Sequence, residues 1–277
     1  MEKKELKIRR WVQIGSLGLG NGYLKGFKTG GIYQGFLKNG CAPFLNCYSC
    51  PGALFSCPIG AMQASLSDAG GKFDINAIPL MVIGFLSLIG GLIGRAICGW
   101  SCPFGFFQDL LNKIPSRKFH GWSWLKYIKY VVLIVFVFIL PVFLVDEFDM
   151  GAPSFCKYIC PAGTLEGGIP LILLKLDLRR QLGGLFVWKS IFLIATILGS
   201  VLFKRPFCRW FCPLGAFYGP FNKISIKQIS INKDACVNCG KCSKACPMDL
   251  EVPQEINSCD CIRCFDCKSE CPVKAIK

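Results

Sequence analysis

The stretch RAICGWSCPFG at 95–105 returns at 205–215 as RPFCRWFCPLG. Each copy sets a C-x₃-C-P pair, Cys98 and Cys102 or Cys208 and Cys212, between an arginine and a glycine. The agreement runs on to Asn-Lys-Ile at 112–114 and at 222–224. At the same offset of 110 residues Cys50-Pro51 falls on Cys160-Pro161, and Ala-Pro-Phe at 42–44 falls on Ala-Pro-Ser at 152–154. Self-similarity at a fixed offset marks a duplicated unit, so residues 1–115 are read as repeat A and residues 116–228 as repeat B. A third C-x₃-C-P, Cys156 with Cys160, lies in FCKYICPAGTLEGG at 155–168. Two small cysteines before a proline stop are ordinary packing when they occur once. Three such pairs, two of them in register across a repeat, call for a ligand.

Long apolar runs accompany the pairs. Ile75–Gly94 has 20 residues without a charge, enough to cross a hydrocarbon core about 30 Å thick at about 1.5 Å per residue. Tyr130–Val145 adds 16, extended by Tyr127 and Ile128, and Leu185–Phe203 adds 19, interrupted only by Lys189 near one end, where a lysine can snorkel. Trp11–Leu24 is shorter and Gly-rich, a first span or a helix along the interface. The MEKKELKIRR start is not followed by a strong apolar core or an A-x-A-like cleavage site, so this segment is expected to be retained. The fold expected is therefore an α-helical integral membrane protein of about four spans in two parallel repeats. With two spans per unit, the copies are related by an axis along the membrane normal.

The net charge of +15 over 277 residues invites a nucleic-acid partner. The distribution argues against one. Basic residues gather where spans end, at 3–10, 113–129 and 204–227, whereas Asp146 to Met150 forms an acidic stretch after the Tyr130–Val145 run. This asymmetry places the N-terminus, the 113–129 loop and everything after 204 in the cytoplasm. The basic run 175–180 goes against the pattern.

The last 49 residues, 229–277, hold the most specific signal. Cys236, Cys239, Cys242 and Cys246 read C-x₂-C-x₂-C-x₃-C-P, and Cys261, Cys264, Cys267 and Cys271 repeat it. In this bacterial two-cluster spacing each run gives three thiolates to one [4Fe–4S] cubane and its fourth to the other. One cluster is expected on Cys236, Cys239, Cys242 and Cys271, the other on Cys261, Cys264, Cys267 and Cys246, in a small α+β ferredoxin domain. Zinc has no use for a swapped fourth cysteine, and disulfides do not suit a reducing cytoplasm. Cys259 is surplus.

The repeat symmetry brings Cys98, Cys102, Cys208 and Cys212 together near the cytoplasmic face as a third cubane site. Six further cysteines lie toward the other face. Cys50 and Cys160 are the favoured ligands there, with Cys156 and one or two of Cys47 and Cys57, and Cys41 is the least favoured. A disulfide or a reactive thiol pair is the competing use of the surplus. Four cubanes with their thiolates carry about −8, which offsets about half of the basic excess.

Together these motifs resemble the membrane-bound 4Fe–4S polyferredoxin-like family, whose members serve periplasmic nitrate reduction, methylamine use and nitrous-oxide systems. The resemblance covers nearly the whole chain and implies electron transfer across or along the cytoplasmic membrane. The flavin-binding domain of longer relatives is not expected within these 277 residues. His120, the only histidine, excludes a bis-histidine haem within one chain. No G-x-G-x-x-G follows a strand, and no nucleophile–base–acid set stands out.

The leading reading is an electron carrier subunit rather than a free-standing enzyme. It takes electrons from a cytosolic donor and passes them to a redox partner at or beyond the membrane, with a homo-oligomer and an anaerobic host both compatible. The alternatives are a membrane reductase using the surplus cysteines or an open cluster, and a redox sensor or metalloenzyme assembly factor. One difficulty stands: clusters at opposite ends of a core about 30 Å thick are too far apart for one efficient hop unless the cysteine loops dip inward.

Overall fold

The computed structural model describes residues 2–67, 79–144, 151–180 and 182–276, and every regular element among them is helical. Residues 75–78 of the first apolar run and the acidic stretch at 146–150 lie outside the described residues. Eight helices position the cysteines: α1 (Glu2–Gly20), α2 (Pro58–Ser67), α3 (Leu80–Ile93), α4 (Pro103–Leu111), α5 (Ser123–Phe143), α6 (Pro161–Leu174), α7 (Gly184–Leu202) and α8 (Pro213–Tyr218). Four of them, α2, α4, α6 and α8, start on the proline of a Cys-Pro pair. Proline suits the first helical turn, where its missing N–H has no partner to lose. The motif therefore leaves its cysteine at the helix cap, facing back toward the next element.

Among the described residues two helices, α5 and α7, are long and apolar enough to cross a membrane, against the four spans expected. The Leu80–Ile93 helix is apolar but has 14 residues. On α7, Val187, Ile191, Ile194, Leu198 and Leu202 are all exposed, while Leu193, Thr196 and Ser200 are buried. That spacing puts the apolar stripe outward and small polar groups inward, the reverse of a water-facing helix.

Helices α5 and α6 are π-wound at Val132–Ile139 and at Thr164–Gly168. A proline follows each, Pro141 and Pro170, and cannot donate to the carbonyl four residues earlier. The freed carbonyl of Glu166 is taken by the Cys50 thiol, at 3.1 Å.

In the C-terminal region the two cysteine runs fold alike. Positive φ recurs at Asn238 and Arg263, at Gly240 and Phe265, and at Asp249 and Lys274, so both loops wrap with the same turns. The expected α+β character is reduced, among the described residues, to one isolated antiparallel bridge between Ile231 and Ile276. The short segments around cysteine-rich turns leave too few consecutive residues for a ladder.

Candidate iron–sulfur sites

Cys236, Cys239, Cys242 and Cys271 line one cavity of about 320 Å³ together with Ile231, Val252 and Pro272. Cys246, Cys261, Cys264 and Cys267 line another, nearly closed at about 20 Å³, among Met248, Leu250 and Ile262. The grouping is the swapped one that the spacing predicts. Among the described residues no three His, Cys, Asp or Glu side chains converge closely enough to hold a single metal ion. The cysteines are gathered in two groups of four, the number of thiolates that a [4Fe–4S] cubane takes.

Cys98, Cys102, Cys208 and Cys212 are all buried. Cys212 lies within electrostatic reach of the other three. The repeats hold each other reciprocally: Arg95 donates to the Cys208 carbonyl at 2.8 Å, and Arg205 donates to the Cys98 carbonyl at 3.1 Å. Phe104 and Phe207 meet edge-on beside them, with ring centroids 5.1 Å apart. Arg205 also pairs with Asp109 through both carboxylate oxygens, at 2.6 and 2.5 Å. Burial would raise the Asp109 carboxyl, but Arg205 and Arg9 overcome it and hold it below its ordinary value. Arg95 meets Asp260, which also pairs with Lys129.

The remaining group holds the expected cysteines apart from Cys50. Cys47, Cys57, Cys156 and Cys160 share a cavity of about 360 Å³ with Lys157 and Lys189, and Cys160 is within electrostatic reach of the other three. Cys50 does not line that cavity, because its thiol is spent on the Glu166 carbonyl. Cys41 also stays outside it. The offset of 110 residues matched Cys50-Pro51 to Cys160-Pro161, but the helix that starts on a Cys-Pro in repeat A is α2, after Cys57. Glu166 stands beside this region and accepts from the Cys47 amide at 3.0 Å. Burial pushes its carboxyl up to about 7, against the pull of that amide.

Burial likewise raises the thiols of both membrane quartets.

Four side chains escaped the sequence reading although their spacing was there to see. Six positions after the cysteine of each helix-starting Cys-Pro stand Gln63, Gln108, Glu166 and Tyr218. Gln63 and Gln108 reach Cys156 and Cys208, Glu166 reaches Cys47, and Tyr218 lies within electrostatic reach of Cys98. All four turn toward a cysteine of the opposite repeat.

Helix α1 serves as a ruler for the sites. Its Arg9 donates to the Cys264 carbonyl at 3.4 Å, its Gln13 to the Gly99 carbonyl at 2.9 Å, and its Gly20 carbonyl accepts from Asn46 at 3.3 Å. These marks stand beside a ferredoxin quartet, the inner membrane quartet and the outer one. Arg9 to Gln13 is about 6 Å and Gln13 to Gly20 about 10 Å along the helix. The Tyr218 hydroxyl donates to the Pro43 carbonyl at 3.1 Å, tying the loop before Cys47 to the helix that follows Cys212.

The ferredoxin region is seated on the membrane part rather than tethered to it. Trp100 donates to the Arg263 carbonyl at 3.0 Å and stacks edge-on against Phe265. Gly99 has no side chain, and one there would strike the Ile262 carbonyl.

Comparison with known proteins finds iron–sulfur domains along the chain. The sequence model of a 4Fe–4S binding domain matches residues 75–121, 128–175 and 185–232, and that of a 4Fe–4S dicluster domain matches 228–272. An uncharacterized protein of Methanocaldococcus jannaschii is 33% identical over 64% of this chain and 68% of its own length. The putative electron transport protein YccM of Escherichia coli is 27% identical over 71% of this chain. The methylamine utilization ferredoxin-type protein MauN of Methylorubrum extorquens is 25% identical over 70% of it. The chain spans 54% of YccM and 58% of MauN. No solved structure matches.

Proposed function

The chain belongs to the 4Fe–4S ferredoxin-like family and binds several [4Fe–4S] clusters, and from that premise we propose that it is a membrane electron conduit with four cluster sites. The observation that carries the reading is that one helix, α1, touches a residue at or beside a cysteine of three quartets, at Cys264, Gly99 and Asn46, through residues about 6 and 10 Å apart along its axis.

Two sites are assigned to the ferredoxin region, on Cys236, Cys239, Cys242 and Cys271 and on Cys246, Cys261, Cys264 and Cys267. The inner membrane site is Cys98, Cys102, Cys208 and Cys212. The outer site is Cys47, Cys57, Cys156 and Cys160. When bound, a [4Fe–4S] cluster accepts and releases single electrons. The chain's own residues fix the spacing, exclude water and supply countercharge. Arg95 and Arg205 clamp the cysteine carbonyls of opposite repeats, so the inner quartet keeps its shape. Arg9 joins Asp109 to Asp266 and so locks α1 to the ferredoxin region.

In this reading the N-terminus and ferredoxin region face the cytoplasm, where a soluble donor meets the exposed Cys239 edge. The redox partner meets the outer cavity. Lipid covers the apolar stripes of α5 and α7. Iron and acid-labile sulfide on anaerobically purified protein test the assignment, with about 16 irons per chain expected for four cubanes. About 8 irons would leave only the ferredoxin region loaded and end the conduit reading. In sealed vesicles, reduced protein should pass electrons to an acceptor on the opposite side.

A further inference from the structure

We propose that Gln63 and Gln108 are positioning residues that set the reduction potentials of the two membrane quartets through a hydrogen bond to one cysteine sulfur each. The inference rests on the cluster assignment above and adds a role for two side chains that ligate nothing. Gln108 donates through Nε2 to the Cys208 sulfur at 3.0 Å, and Gln63 donates to the Cys156 sulfur at 3.4 Å. Neither side chain has any exposed surface.

The orientation of each amide is fixed by its other end. Gln108 Oε1 accepts from the Phe207 amide at 3.1 Å, and Gln63 Oε1 accepts from the Phe155 amide at 2.9 Å. In both cases the donor N–H belongs to the residue just before the cysteine. A flipped amide would lose that bond and aim an acceptor at sulfur, so the N–H must face the cysteine. Each Nε2 also donates to its own helix, to Phe104 and Ile59 carbonyls at 3.4 and 3.2 Å.

A packing role does not account for the pair. Burying an amide is costly unless it is hydrogen-bonded, and a leucine would fill the same space without that demand. The same three-contact arrangement arises twice within repeat A, on helices that both begin P-x-G-x-x-Q: α2 reads PIGAMQASLS and α4 reads PFGFFQDLL. What the two glutamines have in common is one sulfur on the opposite repeat. A donor to a thiolate stabilises the electron-rich reduced state more than the oxidised one, and so raises the potential.

The test is an EPR-monitored redox titration of the full chain in detergent, with Gln108→Leu and Gln63→Leu beside the unmodified protein. Removing the Gln108 bond should shift the inner site's equilibrium about tenfold toward the oxidised form, about 59 mV lower for one electron, with the outer site unmoved. Gln63→Leu should do the converse. Gln108→Met, unbranched and without a donor, should reproduce the Leu shift if leucine disturbs folding. A loaded inner site whose potential is unchanged in both Gln108 variants overturns the inference, as does an equal shift at both membrane sites. Fewer than about 16 irons in the unmodified chain would instead overturn the cluster assignment, a separate failure seen before any variant is made.

Discussion

The two membrane quartets share a frame and differ in what surrounds it. The inner one has four buried cysteines, two guanidinium clamps and an ion-pair chain leading into the ferredoxin region. In the outer one Cys47 and Cys156 are only half-buried, the Glu166 carboxylate accepts from the Cys47 amide, and Lys157 and Lys189 stand at the cavity wall. A sealed, cross-braced site suits an internal relay. A site with partly exposed thiols and cations at its edge suits exchange with something outside the chain. The difference lies in the neighbours, since both quartets take two cysteines from each repeat.

Ligand deletion gives the sharpest way to break this comparison. Cys208→Ser and Cys57→Ser should each remove about four of about 16 irons, one from each membrane site, as metal analysis would show. Cys50→Ser should leave iron unchanged and cost about 1 kcal/mol for the weakened bond to the Glu166 carbonyl. If Cys50→Ser loses iron and Cys57→Ser does not, the outer quartet has been drawn wrongly.

Next comes Arg205→Met, which leaves Asp109 with Arg9 alone. A buried pair broken on one side costs about 3–5 kcal/mol, so thermal unfolding should move down clearly. The outer site has no equivalent, and Lys189→Met should shift unfolding by less than about 1 kcal/mol. Comparable losses in the two variants would remove the distinction between a braced and an open site.

Gly99→Val probes the seat between the ferredoxin region and the inner quartet. Overpacking against the Ile262 carbonyl should cost about 1–3 kcal/mol and slow reduction of the inner site by the ferredoxin region, read by rapid-freeze spectroscopy. The outer loop should not respond.

The smallest effect concerns acid. Asp109 is held below its ordinary value of 3.8 in the folded chain. Its stabilising contribution is therefore fully present above about pH 4 and is lost as pH falls through the depressed value. The stability gap between the unmodified chain and Asp109→Asn should be widest at neutral pH and close on acidification.

The ferredoxin grouping was legible in the sequence because ligand spacing there is short and the swapped fourth cysteine follows from it. The inner quartet was legible from the repeat. The outer quartet was not fully so, since repeat A spreads Cys47 and Cys57 across ten positions where the other pairs use four. A fixed offset then selects Cys50, and only the carbonyl freed by Pro170 explains why that thiol is otherwise engaged. The role of α1 was equally hidden. Its Gly-rich end looked like a weak span, whereas Arg9, Gln13 and Gly20 act by touching three separate backbones.

The interleaving of the quartets also governs how such a molecule can be made. Cys47 and Cys57 leave the ribosome about a hundred residues before Cys156 and Cys160, and Cys98 and Cys102 as far ahead of Cys208 and Cys212. Cys236, Cys239 and Cys242 wait for Cys271, about thirty residues later. No site is complete while its own repeat stands alone, so half-built chains hold pairs or triplets of bare thiols. With the proposed ligand sets, iron delivery follows synthesis of both halves of each site, and a truncated chain is a chelator without a cage.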